Sequence, residues 1–126
     1  MIRIKHFLDA VEKDDGRRIW VEPINLTADL KEWCLVQHML CHVAPPRELW
    51  SWFNDHPDGY EFFRAQYHEW LSKSPYRLAL QQLACAAMRE NITLLHQEDD
   101  PAHNSATALY EFLAELEAYC PPDQQP

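Results

Sequence analysis

Cys34, His38, Cys41 and His42 stand within nine residues. Thiolate and imidazole are zinc or copper ligands, and four of them complete a tetrahedral site. On a helix, Cys34, His38 and Cys41 share one face; on a strand, Cys34, His38 and His42 do, and Cys41 points away. Either way one segment needs a bend to wrap four ligands around one ion. The competing reading is a half-buried, core-facing segment, and nothing in the sequence requires a metal. A second concentration is His96, Glu98, Asp99, Asp100 and His103. An imidazole beside a carboxylate can do general acid–base work. The catalytic candidates are therefore His96, His103, Asp99 and Glu22, with Asn104, His42 and Lys5 as ligand-binding candidates. The competing reading is a capped helix behind a solvated acidic loop. Cys41 could also be a thiol nucleophile, with His96 as base from a neighbouring strand.

These residues need elements to hold them. Ile2, Ile4 and Phe7 interleaved with Arg3 and Lys5 predict a first strand. Asp14-Asp15-Gly16 signals a turn, and Arg18–Glu22 a second strand stopped by Pro23. Leu26–Trp33 reads as a helix with Asp29 and Glu32 as a capping box. Residues 34–43 fit a helix or a buried strand equally. Pro46 opens a short helix in which Leu49, Trp50, Trp52 and Phe53 cannot all face one core. Tyr60, Phe63, Tyr67, Trp70 and Leu71 recur at helical spacing, and Ser74-Pro75 precedes another helix. Ile92–His96 reads as a buried strand. Asp100 is the expected cap of the last helix, with Pro101 at its first position. Strands alternating with helices predict one α/β domain, residues 1–119. Its expected sheet is short and mostly parallel, three to four strands flanked by four to five helices. Residues 120–126 read as a polar, proline-rich tail.

Composition narrows the function. Of 126 residues, 11 are Lys or Arg and 20 are Asp or Glu, a formal charge of −9. Direct nucleic-acid binding is disfavoured, because such affinity comes from cations neutralising phosphates. An acidic face mimicking DNA is one form a protein-binding role could take. Two glycines exclude a glycine-rich phosphate loop. No apolar run approaches the roughly 20 residues of a membrane helix. The opening MIRIKHFLDA is too short and too soon charged for a signal peptide, so a cytoplasmic location with reduced thiols is expected. Cys85 reads as a small buried hydrophobe and Cys120 as accessible. Trp33, Trp50, Trp52 and Trp70 with Phe53, Phe62, Phe63 and Tyr67 load the chain with aromatics. Most belong to the core, and any left exposed would suit a homodimer or a protein partner.

The ordered set Ile2-Arg3-Ile4-Lys5, Asp15-Gly16, Val21-Glu22, Val43-Ala44-Pro45, Glu48-Leu49, Trp52-Phe53, Phe63-Arg64, Tyr67, Leu71, Thr93-Leu94-Leu95, His103-Asn104 and Ala106 resembles the YeaO-like family, domain of unknown function 488. The resemblance runs from Met1 to about Leu116. It implies a compact bacterial α/β domain and imports no reaction. Departures from the family pattern carry more information. Where the family has Val-Asp-Arg-Leu-Trp-Pro-Arg-Gly, this chain has Val21-Glu22-Pro23-Ile24-Asn25-Leu26-Thr27-Ala28, without either arginine. Ala-Pro-Ser becomes Ala44-Pro45-Pro46, and the cation of Tyr-x-Ala-Lys/Arg-Asp becomes Asp99. All these positions follow strand ends, where open parallel sheets bind ligands. The resemblance thus implies an anion site that is dismantled here, or turned toward neutral or cationic groups. A binding or interaction protein is the leading expectation. A His/carboxylate enzyme at the strand-end rim and a Cys/His metal protein are the alternatives.

Overall fold

The computed structural model describes residues 1–121; the polar tail beyond lies outside the described residues. Four strands, β1 (Ile2–His6), β2 (Arg17–Trp20), β3 (His38–Met39) and β4 (Ile92–His96), form one sheet in the order β1-β4-β2-β3. Every pairing is parallel, with Ile4 and Ile19 both opposite Leu94. The last strand in sequence is thus inserted between the first two. Its run Ile-Thr-Leu-Leu-His is buried at every position, as a central parallel strand requires.

Among the described residues are five α-helices: α1 (Ala28–Trp33), α2 (Arg47–Asp55), α3 (Tyr60–Ser72), α4 (Arg77–Ala86) and α5 (Ser105–Leu116). Alternation along the strands divides the core. Ile19 and Leu94 face the larger cluster, with Phe63, Tyr67, Leu71, Leu80, Leu109 and Leu113. Trp20 and Leu95 face the smaller one, closed by Leu26, Phe7, Ile24, Val36 and Met39. The second layer is thin, because α1 buries no residue at all.

A 3-10 turn, Lys13–Asp15, returns the chain from β1 to the start of β2. Gly16 follows with φ 64°, and a Cβ there would lie 1.9 Å from the Asn91 carbonyl oxygen. Only glycine leaves room for this turn to lie against the segment entering β4. Asp15 is buried and faces Lys5 Nζ at 2.9 Å and Arg18 Nη1 at 2.6 Å. Its backbone oxygen accepts the Thr93 hydroxyl at 2.7 Å, tying the turn to the central strand.

Several local expectations are corrected. The α1 cap is Thr27, whose hydroxyl accepts the Leu30 N–H; Asp29 falls inside the helix. The α5 cap is Asn104 in place of Asp100, because the chain stays irregular through 101–104. Residues 34–43 are neither a helix nor a full strand: they hold the two-residue β3 between turns. Cys85 and Cys120 form a disulfide, their Cα atoms 5.6 Å apart, where reduced thiols and an accessible Cys120 are expected from the sequence. Cys120 is buried because residues 117–119 continue past α5 as a 3-10 turn and carry it onto α4. The packed unit therefore extends into the segment read as tail.

Leu35 ends α1 with φ 52°. Its N–H donates to Glu32 and that of Val36 to Lys31, the paired bonds of a Schellman cap. Glycine is the usual residue there, since a side chain clashes with the following carbonyl. Leu35 is exposed, so Leu35→Gly removes the clash with little loss of packing. It should stabilise the protein by about 0.5–1 kcal/mol, after the chain entropy glycine adds to the unfolded state. Urea unfolding of the two proteins measures this.

Candidate functional site

The strand-end rim holds an unusual buried group. Asn104 caps α5, its Oδ1 accepting the Thr107 N–H at 2.8 Å and its Nδ2 donating to the Asp100 carbonyl at 2.9 Å. Ser105 is thereby fixed as the first helical residue, and its hydroxyl donates to Glu98 Oε1 at 2.9 Å. The Ser105 N–H points to the same oxygen at 3.4 Å, and the Gln97 N–H donates to Glu98 Oε2 at 3.2 Å. The Glu98 carboxylate thus occupies the N-terminus of α5, where the helix dipole favours a negative charge.

Glu22, two residues past β2, faces Glu98. It is fully buried, and Oε2 accepts the Trp50 indole N–H at 2.9 Å. Burial, reinforced by the charge of Glu98, pushes the Glu22 carboxyl well above the ordinary glutamate value. For Glu98 burial acts upward too, but His96 and Ser105 outweigh it and hold the carboxyl below that value. The two carboxyls are thus pushed in opposite directions, Glu22 up and Glu98 down. Glu22 Oε1 has no hydrogen-bond partner. Protonation satisfies this oxygen by letting it donate to Glu98. His96 completes the group, 3.5 Å from Glu98 through Nδ1, which has no hydrogen-bond partner.

Two cavities open above this group. One, of about 480 Å³, is walled by Phe53, Pro57, Glu98, Asp99, Asp100 and His103, among others, and by no lysine or arginine. The second, of about 270 Å³, shares Glu98 and Asp99 and adds His6, Asp9 and His96. His103 Nδ1 pairs with Asp100 Oδ2 at 2.9 Å, and the Ala102 N–H followed by His103 lowers the Asp100 carboxyl.

The structure scatters the other candidates. His96 and His103 line different cavities, so the convergence an acid–base pair of histidines needs is not formed. Asn104 is spent on the helix cap. Lys5 reaches the second cavity wall, but its ammonium is held by Glu12 at 2.7 Å and by Asp15. Cys34 is buried at the end of α1, its carbonyl accepting Arg18 Nε at 3.0 Å. Cys41 points to the Ile24 carbonyl at 3.8 Å and Asn25 Oδ1 at 3.6 Å, away from His96. Burial pushes its thiol up, the wrong direction for a nucleophile or a thiolate ligand. His42 packs edge-on to Tyr76 and, with His38, borders an apolar cavity beside β3. Among the described residues no three His, Cys, Asp or Glu side chains converge as a metal ion needs. The segment 34–42, expected to hold zinc or copper, turns around the two-residue β3 instead of presenting one continuous helix or strand face.

Sequence reasoning missed the role of Glu98, Ser105 and Trp50. One signal was present. Glu22 and Glu98 each stand two residues beyond a strand end, β2 and β4. The coincidence has meaning only once those strands are known to be neighbours.

Residues 1–124 match a family described as the inactive DUF488-N3 subclade. The chain belongs to that family. The DUF488 chain is also 26% identical over 118 residues to an uncharacterized protein of Mycobacterium tuberculosis (strain ATCC 25618 / H37Rv), covering 89% of this chain and 92% of the relative. An uncharacterized protein of Mycobacterium bovis (strain ATCC BAA-935 / AF2122/97) matches with the same identity and coverage. No solved structure matches. Among the described residues of the DUF488 chain, no helix is long and apolar enough to cross a membrane.

Proposed function

We propose that this DUF488 chain is a non-catalytic binding protein whose strand-end rim receives a cationic group, an ammonium or a guanidinium. The observation that carries this reading is the cavity of about 480 Å³ with Glu98, Asp99 and Asp100 in its wall and no cation of its own. Phe53 and Pro57 supply apolar wall for the carbon chain behind such a group. The missing strand-end arginines fit the same picture, and so does the subclade's description as inactive.

The opposed shifts of Glu22 and Glu98 favour a second reading, because acid and base carboxyls of enzymes are separated in this way. Burial weighs against it. Glu22 is 0% and His96 2% exposed, so no substrate atom touches either without rearrangement.

Agmatine carries a guanidinium and an ammonium and tests the cation reading. Titrated against amide NMR signals, it should shift Gln97, Asp99 and His103 saturably. Asp99→Asn with Asp100→Asn should weaken it roughly tenfold, and salt should weaken it further. Preferential binding of phosphate, or indifference to the double substitution, would overturn the reading.

A further inference from the structure

The two rim cavities have a neighbour. A third, of about 230 Å³, is walled by Phe7, Leu8, Asp9, Val11 and Trp33. It shares Asp9 with the second cavity, which shares Glu98 and Asp99 with the first. Linked by these shared wall residues, the three are taken together as one furrow that starts at the strand-end rim and reaches the end of α1. Its character changes along its length, from carboxylates, through His6 and His96, to an aromatic and aliphatic end.

We propose that this furrow binds an extended segment of a partner polypeptide that carries a basic side chain and, a few residues away, a large apolar one. The proposal rests on the cation reading for its acidic end; the apolar end rests on separate observations. Trp33 is 81% exposed and Leu8 59%, and Val11, which lines the same cavity, is exposed as well. These residues stand on the face covered only by α1 and loops. A clustered apolar surface of this kind, with a cavity at its centre, is the form of an interaction site. In the middle cavity His6 and His96 stand in the wall between the two ends.

Charge selects the partner. Asp9 lines both the apolar cavity and the middle one, and the whole chain carries −9. A second copy would bring like charges together. A basic segment is complementary at both ends, and charge pairing of this kind also speeds encounter. An extended segment can reach successive cavities that share wall residues, placing a side chain in each with main-chain contacts between them.

Fluorescence anisotropy with labelled nonapeptides tests this. Each peptide holds one arginine and one leucine, one to five residues apart in a serine background. Controls carry the arginine alone or the leucine alone. One spacing should bind at least about tenfold tighter than either control. Trp33→Ala should abolish most of that gain and leave the arginine-only peptide unaffected. An unchanged melting temperature would show that this exposed substitution leaves the fold intact. If the arginine-only peptide binds and no spacing improves on it, the furrow proposal fails and the cation reading stands. If no arginine peptide binds, both fail. Sedimentation should show a monomer; a dimer dissociated by Trp33→Ala would overturn the proposal in favour of a second copy.

Discussion

Asp15→Ala is expected to destabilise the protein by about 3–5 kcal/mol, the cost of leaving buried cations without their counter-charge. Asp15 is 1% exposed and Arg18 2%. Arg18 already has one terminal nitrogen, Nη2, without a partner. Removing Asp15 leaves its guanidinium only the Cys34 carbonyl. Lys5 loses its most buried partner in the same step, and the Glu12 N–H loses its acceptor. Asp15→Asn keeps an acceptor for that N–H and loses only the charge, so it should fall between wild type and Asp15→Ala in urea unfolding. Burial acts upward on the Asp15 carboxyl, but Lys5, the Glu12 N–H and Arg18 outweigh it and hold it below the ordinary value near 3.8. A lowered carboxyl contributes stability that is present above its unfolded value and lost as pH falls through its folded value. Wild type should therefore lose stability in acid more steeply than Asp15→Asn. Equal acid profiles would show that the ion network contributes nothing.

The second large effect concerns Glu22 and has the opposite sign. Its folded value is raised, so its contribution is fully present below the ordinary glutamate value, near 4.5, and is lost as pH rises toward the folded value. In that window wild type loses about 1.4 kcal/mol of this contribution per pH unit. Glu22→Gln copies the protonated acid: its amide oxygen can accept from Trp50 and its NH₂ can donate to Glu98. The variant should gain on wild type at that slope as pH rises above 4.5, until Glu22 ionises in the folded wild type. Glu98→Gln should act on the other limb. The lowered Glu98 carboxyl stabilises above its unfolded value, so this variant should lose the acid-side fall. Stability curves from pH 3 to 9 for the three proteins check both. Parallel wild-type and Glu22→Gln curves would mean that Glu22 is ionised in the fold and that the proton-sharing pair does not exist.

Much of the frame is local and was legible in the residues. The β1 and β2 strands, the buried run 92–96, the turn at Asp15-Gly16 and the helices after Pro46 and around Phe63 follow from periodicity and turn chemistry. These act within a few residues of chain. The rim was legible too, because ligand sites of parallel sheets lie beyond the strand ends. Glu22, His96 and the acidic loop stand at or just past the ends of β2 and β4. The sequence misjudged Asn104, which caps a helix, and the Cys34–His42 segment, whose periodicity fits two structures equally.

What remained was decided by contacts between distant segments. Insertion of β4 between β1 and β2 makes Glu22 and Glu98 neighbours and pushes their carboxyls in opposite directions. Neither residue's local sequence carries that pairing. Continuation of the chain past α5 brings Cys120 to Cys85, and the thin layer under α1 leaves Trp33 in water. Periodicity within an element is written in adjacent residues. Which elements touch depends on how the whole chain buries its apolar faces, and the chemistry of this rim depends on those contacts.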